Sequence, residues 1–383
     1  MFHGVMAGAI AGRGADPSEA LVPVDRAAAH RRRGQHQIVW DITYACPLRC
    51  VHCYSESGRR PSRQLGRDDL IRVADALIAA EPQGIVLAGG EPLTVPGVLD
   101  LVDRMRRAGI TTTVYTGGWS VTRATVQRLA EAGARVTVSI DGATSEIHDR
   151  IRGRSGSFER ALRTVELLDS VAHDDASFRF GIDYTVVRSN FEQVAQFCTD
   201  IAIRFPRLSS ISFGAAVPSG LASEPEFVDR ELLTDNQVRQ LTAPHNRHLL
   251  QSLVTGSVAV DTTDNRLLQL HPDRVDAGQF FRTLQVEPDG EVRAMSMYEG
   301  TVGNVLTDPV DLLWERAVAR WSDPAVTTAL ADARTMPDWA RATRHIDQHF
   351  GMDAVRDRIE RRTPLGSPAP GRGRSRLGRK EVV

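Results

Sequence analysis

Cysteine is scarce in this chain, with four residues among 383. That excludes a fold stapled by disulfides. Long apolar runs are absent too; nothing reaches the length of about 18 residues that a spanning helix needs, so no membrane partner is expected. Neither sign of charge dominates. Lys and Arg total 47 against 48 Asp and Glu, a formal net charge of −1. The protein as a whole is therefore not a nucleic-acid-binding surface, and no specific nucleic acid is expected as a partner. The opening residues lack the basic stretch followed by an apolar core that marks a signal peptide. Residues 1–35 read as an N-terminal lead-in and the chain as cytoplasmic, where thiols stay reduced. Residues 361–383 hold seven basic residues and one acidic one among Pro and Gly. Such a segment cannot bury enough apolar surface to fold, and it reads as a disordered basic tail. The hydrophobic content of 42% is ample for a sizeable core between these ends.

The scarce cysteine is also concentrated. Three of the four, Cys46, Cys50 and Cys53, fall in "CPLRCVHC". The stretch follows a strand-like run, 38–44, and opens a repeating pattern. Helical periodicity over 67–80, 95–109, 122–133, 157–172 and 190–203 alternates with short strand runs at 84–90, 111–118, 135–142, 178–187 and 209–216. Six strands with helices between them imply a parallel α/β sheet with helical crossovers, a partial (β/α)6 barrel over residues 36–220. Glycine and polar residues gather past the C-terminal strand ends, at Cys46, 89–91, 116–118, 139–142 and 187–190. In barrel-like α/β folds that rim is where ligands bind.

Residues 221–355 read as a small α+β C-terminal extension that caps the substrate pocket. A helix starts near Thr234 or Asp235, a strand covers part of 256–265, and 283–306 reads as a hairpin turning at Asp289 and Gly290. A helix follows over 311–321. Met295 and Met297 alternate with Ser296, which would place both on one side of a strand.

Three cysteines admit more than one reading. A structural zinc site would want four ligands, and His52 beside Cys53 is badly angled to supply one; a fourth from elsewhere keeps zinc or another iron–sulfur protein open. A [4Fe–4S] cube has four irons, so three thiolates would leave one free to chelate an amine and a carboxylate.

The C-x3-C-x2-C spacing after a first strand resembles the signature of the radical S-adenosylmethionine (SAM) enzymes. "GGEPL" at 89–93 is similar to that family's second-strand motif, "YTGG" at 115–118 stands where a Thr-Asn-Gly-like turn is common, and "TVVRSN" at 185–190 resembles its fifth-strand segment. "VSIDG" with His148, Arg152, Gly153 and Phe158 resembles the peptide-modifying and quinone-cofactor-maturing branch. The resemblance implies one [4Fe–4S] cluster on Cys46, Cys50 and Cys53. It implies SAM held by Gly89, Gly90, Glu91, Thr116, Ser139, Arg152 and Asn190, and an external one-electron reductant of flavodoxin or ferredoxin type. The implied chemistry is reductive cleavage of SAM to a 5′-deoxyadenosyl radical, which abstracts a substrate hydrogen.

Plainer roles stand beside these. Gly89 and Gly90 could relieve a tight turn, Glu91 could cap a helix, and Ser139 and Asp141 could form a turn. Arg152 could pair with a carboxylate, His52 could shield by packing, and Asn190 could cap the next helix in a box with Gln193. Cys198 sits at helical spacing from Val194 and Ile201; it reads as a buried small hydrophobe, with a hydrogen-donating catalytic thiol as the alternative. In the branch resembled, the second hairpin strand carries a cluster-binding cysteine; Met295 stands there instead, while Gly303, Asn304 and Trp314 fit its outline. A single cluster is therefore expected. The implied function is modification of a peptide or peptide-derived precursor, with a separate leader-peptide carrier as a partner. Rearrangement, epimerisation or cleavage of a small molecule such as a sugar, nucleoside or amino acid is the alternative.

Overall fold

The structure is a computed structural model that describes residues 36–362. The lead-in, 1–35, and the tail from 363 onward lie outside the described residues. Ten strands form one sheet in the order β10-β9-β8-β1-β2-β3-β4-β5-β6-β7. The central six are β1 (Gln37–Thr43), β2 (Gly84–Gly89), β3 (Thr112–Thr116), β4 (Arg135–Ser139), β5 (Phe180–Val186) and β6 (Ser210–Ala215). All five pairings among them are parallel and run in sequence order. This is the mixed α/β architecture of a partial barrel.

The crossovers are helices with one apolar stripe. In α1 (Arg67–Ala79), Leu70, Val73, Ala74 and Leu77 are buried, a spacing of three and four residues. In α2 (Val98–Arg107), Val98, Leu101, Val102 and Met105 are buried, and Arg104, Arg106 and Arg107 lie in the last turn, where the helix dipole favours them. α3 (Arg123–Glu131) leads into β4, and α6 (Gln193–Asp200) into β6. Two helices, α4 (Ser145–Arg152) and α5 (Ser157–Asp174), separate β4 from β5. The sequence pattern shows α5 but not the short α4.

The sheet has two unlike faces. Thr112 contacts Met105 of α2, and Tyr184 and Phe213 pack on Phe197 of α6, so this face is the helix-covered one. The other face carries a polar row in register across four strands: Ser139, Asp183, Ser212 and Asp261, the last on β7 (Ala259–Thr263). A strand buried on both sides would read as continuously apolar. Alternation here marks a face left for something other than helix packing.

The extension adds to the same sheet at both edges. Three helices, α7 (Pro225–Arg230), α8 (Asp235–Thr242) and α9 (Pro244–Ser252), lead to β7, which pairs parallel with β6. Thr234 caps α8 and Gln237 completes the box, so the helix starts where the sequence placed it. After α10 (Pro272–Asp276), β8 (Thr283–Val286) pairs parallel with β1 and turns at Gly290 into β9 (Glu291–Arg293). The expected hairpin ends there. Residues 294–300 are a turn, with Met297 at φ +73°, and a third strand, β10 (Thr301–Asn304), pairs back on β9. Met295 and Met297 are therefore core residues of a turn rather than partners on one strand face. Four helices close the fold: α11 (Val310–Trp321), α12 (Pro324–Ala331), α13 (Met336–Phe350) and α14 (Asp353–Glu360). Arg362, assigned to the tail by composition, is buried against Glu56 and Glu224. Among the described residues no helix is long and apolar enough to cross a membrane.

Candidate active site

The cysteine loop leaves β1 at the C-terminal rim and is fastened on several sides. Arg49 N and Val51 N donate to Arg152 O and Ile151 O at 3.0 and 2.9 Å, binding the loop to the end of α4. Leu221 N donates to Cys53 O at 3.1 Å. Within this frame Leu48, Cys50 and Cys53 form a buried apolar cluster, against which Cys46, Trp119 and Leu221 pack. Burial pushes the Cys46 thiol well up, and neighbouring Cys50 adds to the shift. Burial also raises Cys50, against the pull of Arg152. Such thiols need cationic compensation to ionise.

Arg152 supplies part of it to Cys50. Arg152 is buried, and its Nη1 lies 3.8 Å from Cys50 Sγ. Its Nε lies 2.6 Å from Asp141 Oδ2. The third nitrogen, Nη2, is buried and has no hydrogen-bond partner. Asp141 is the hub of this corner. Its Oδ2 also meets His52 Nε2 at 2.9 Å, and its Oδ1 accepts from Thr185 N at 2.9 Å. Burial would raise the Asp141 carboxyl, but Arg152 and His52 outweigh it and hold the group well below the usual range. His52 is thus tied to a carboxylate, which goes beyond shielding. His148 accepts from Asp141 N through Nδ1, and burial, aided by Arg152, lowers it to about 4. His148 and Arg152 lie four apart on α4 and so share a face. That i, i+4 spacing is the sequence signal for the short helix.

The second-strand motif faces the same rim. Gly89 adopts φ +104°, and a Cβ there would stand 2.6 Å from Thr43 O. At Gly90 a Cβ would collide with Ala45 O. Only glycine lets β2 end this close to the exit of β1, so the turn relief considered from sequence is a real constraint. Glu91 caps a single 3-10 turn (Pro92–Thr94) through Leu93 N at 3.3 Å. Its carboxylate also accepts from Thr116 Oγ1 at 2.8 Å and Gly117 N at 2.9 Å. Burial raises its carboxyl against those hydrogen bonds. Glu91 and Thr116 therefore join the ends of β2 and β3.

Asn190 is placed differently from the cap that "NFEQ" suggests. Its Oδ1 accepts from Val187 N at 2.8 Å, and its Nδ2 donates to Asp141 O and Thr185 O at 3.1 and 2.9 Å. It faces back toward β4 and β5, with both amide hydrogens used. Gln193 completes no box with it; its Oε1 accepts from Ala143 N instead. Ser139 is buried at the end of β4, at the head of the polar row. In that row Ser212 Oγ is buried without a hydrogen-bond partner. Cys198 lies on α6, on the helix-covered side of the sheet, where burial raises its thiol to about 12.

The thiol donor set has no carboxylate in it, which suits an iron–sulfur group. Among the described residues no group of three or more His, Cys, Asp or Glu side chains is arranged to hold a metal ion directly. A cube sets its thiolates wider apart than a lone ion does. Arg152 Nη2 is buried near this site without a hydrogen-bond partner, so the residues present fit a cluster with a carboxylate-bearing ligand.

A family model, the radical SAM superfamily, matches residues 40–198. The mycofactocin maturase MftC of Mycobacterium ulcerans is 33% identical over 294 residues, 73% of this chain and 74% of that protein. The AdoMet-dependent heme synthase of Methanosarcina barkeri is 37% identical over 161 residues, 42% of this chain and 45% of that protein. The chain spans about half the length of the first of the curated relatives it matches, between 45% and 54%. Among solved structures, Streptococcus suis SuiB bound to S-adenosylmethionine superposes with a TM-score of 0.59 at 15% identity, covering 82% of this chain and 71% of that one. That likeness is one of fold.

Proposed function

The chain belongs to the radical SAM superfamily, and on that premise we propose that it modifies a peptide or peptide-derived precursor by abstracting a hydrogen atom from it. The observation that carries the peptide reading is the mycofactocin maturase match, which runs through about three quarters of both chains and so reaches beyond the core into the extension. When bound, a [4Fe–4S] cluster and SAM would supply one-electron cleavage and a 5′-deoxyadenosyl radical.

The chain's own residues would hold and orient. Cys46, Cys50 and Cys53 supply the thiolates, and Arg152 lowers the cost of ionising Cys50 in an apolar setting. Arg152 Nη2 is the donor for the SAM carboxylate. Gly89 and Gly90 keep the rim open by lacking side chains. Glu91 and Thr116 act by fixing the β2 and β3 turns. Asn190 acts by fixing the turn that carries Asp141. Ser139 opens the polar row along which the rest of the ligand and the substrate would lie. Positioning of this kind decides which substrate hydrogen is reached. An external one-electron reductant is required, and a separate leader-peptide carrier would suit a ribosomal precursor.

A second reading, a tetrapyrrole substrate, rests on the heme synthase match over 42% of the chain. Anaerobic reconstitution separates the classes. The reduced protein with SAM should release 5′-deoxyadenosine, and a candidate precursor peptide should raise that release and change mass by mass spectrometry. Turnover with an iron porphyrin and none with peptides would overturn the peptide reading. A protein that takes up zinc but no iron would remove both.

A further inference from the structure

Four exposed arginines gather at the cysteine loop: Arg49 within it, and Arg59, Arg154 and Arg160 around it. Arg49 donates to Cys46 O and Leu48 O at 3.0 and 2.9 Å, and Arg154 donates to the intervening Pro47 O at 2.7 Å. Arg59 donates to Arg49 O at 2.6 Å. Arg154 and Arg160 both lie over the Trp119 ring, 4.0 and 4.2 Å from its centroid, and Arg160 also reaches Trp119 O. These contacts make the four a single patch. Trp119 in turn packs on the cluster of Leu48, Cys50 and Cys53, so the patch is the outer wall of the thiol site.

None of the four forms an ion pair with a carboxylate among the described residues. Elsewhere surface arginines commonly do: Arg67, Arg104 and Arg128 pair with acids of α1 and α2. Capping loop carbonyls explains the hydrogen bonds. It does not explain why four like charges gather unanswered on a chain whose net charge is −1. Their mutual repulsion is a cost that an acidic partner would relieve.

We propose that Arg49, Arg59, Arg154, Arg160 and Trp119 form the docking surface for an acidic one-electron carrier protein. The inference rests on the radical SAM reading above, which requires such a carrier. Charge complementarity would steer the encounter, and Trp119 would give it an apolar centre. Contact here would bring the carrier to the side of the thiol site that Trp119 covers. The transfer is a single electron; the carrier is oxidised by one, the cluster is reduced by one, and no bond is made. A nucleic acid would also be drawn to the charge, but it would gain nothing from the thiols behind Trp119.

The test is stopped-flow reduction of the reconstituted enzyme by photoreduced flavodoxin, an acidic flavin protein, with dithionite as the small-molecule comparison. In Arg59→Glu/Arg160→Glu the flavodoxin rate should fall at least ~10-fold at low ionic strength, and the difference should shrink as salt rises. Iron content and reduction by dithionite should match wild type. Arg59→Gln/Arg160→Gln, which keeps hydrogen-bond donors, should fall between. Arg239→Glu, an exposed arginine of α8 outside the patch, should keep the wild-type rate. Equal flavodoxin rates in wild type and the Glu variant overturn the proposal, as does an equal loss in Arg239→Glu or a matching loss with dithionite. So does duplex DNA binding that the reversal abolishes while flavodoxin is unaffected. A wild-type chain that binds no iron would instead sink the functional reading beneath it.

Discussion

Arg152 performs two tasks that one ammonium could not share. Its planar fork presents Nε to Asp141 and Nη1 to Cys50, with Nη2 left over. Lysine keeps the charge but is a single point donor. Arg152→Lys should therefore bind SAM at least ~10-fold more weakly by calorimetry, a loss of about 1.4 kcal/mol. Its iron content should stay near wild type, because the thiols remain. Loss of iron together with SAM affinity would show that the guanidinium chiefly supports the cluster loop. Cys198 belongs to the same scale with the opposite expectation. It is fully buried on α6, and its raised thiol follows from burial alone. Cys198→Ala should cost about 1 kcal/mol of stability in urea titration and leave product and turnover unchanged. A changed product stereochemistry would revive the catalytic thiol. The contrast shows what sequence conveys at this scale. Cys198 and Arg152 are legible because helical spacing and a motif speak for them. Asn190 is less so: "NFEQ" spells a helix cap, yet tertiary contacts with Asp141 and Thr185 turn the side chain backward.

Glu287, just beyond β8, anchors the largest charge network of the described residues. It accepts from Tyr44 Oη at 2.9 Å, Arg293 Nε at 2.9 Å and Arg63 Nη1 at 2.5 Å. Arg293 is buried and also reaches Glu299, which meets Arg358 of α14; Arg358 and Arg362 then hold Glu56, three residues past Cys53. One ionic chain thus runs from the hairpin through the last helix to the cysteine loop. Burial raises the Glu287 carboxyl, but Arg293 and Arg63 prevail and bring it to about 2. A depressed folded value contributes stability that is present above the unfolded value near 4.5 and lost as pH falls toward 2. The contribution is therefore present at neutral pH and lost in acid. Wild type should lose stability between those limits in urea titrations, Asp141 and Glu56 contributing too, and Glu287→Gln should show a shallower slope. At neutral pH the variant should already be ~3 kcal/mol less stable, because Arg293 loses a buried partner. Parallel pH profiles for the two proteins would remove Glu287 from the account. None of these pairs is visible in sequence. The links that tie the hairpin to the cysteine loop join distant residues, Arg63 to Glu287 and Arg358 to Glu56, and local pattern carries no such range; even Arg293, six residues from both Glu287 and Glu299, fits no helical or strand spacing. The hairpin itself is legible, because alternation and an Asp-Gly turn are local; its continuation through residues 294–300 into β10 is not.

At the scale of the molecule, the sequence suggests a barrel core at 36–220 followed by an extension, and the sheet joins the two. β7 extends the β6 edge and β8 the β1 edge, so strands from beyond residue 220 flank the core on both sides. Composition and periodicity show the core strands and the first hairpin but not β10, and pairing between distant strands follows from which edges remain open. Removing β8 would expose the β1 edge, strip Gln285 from buried Asp41 and leave the Tyr44 hydroxyl without Glu287. Core and extension should therefore unfold together. Tryptophan reports on both parts, with Trp40 buried in β1 and Trp321 and Trp339 buried in α11 and α13. Single-tryptophan variants retaining Trp40 or Trp339 should give the same urea midpoint, coincident with far-UV circular dichroism. A midpoint for Trp339 well below that for Trp40 would mean that the extension detaches first. That outcome would also loosen Arg358 and Arg362 from Glu56, so the Trp339 transition should then coincide with loss of the cluster's visible absorbance. Under the joined sheet, the absorbance and both tryptophans should change at one urea concentration, because the last helix, the hairpin and the cysteine loop are ends of one ionic chain.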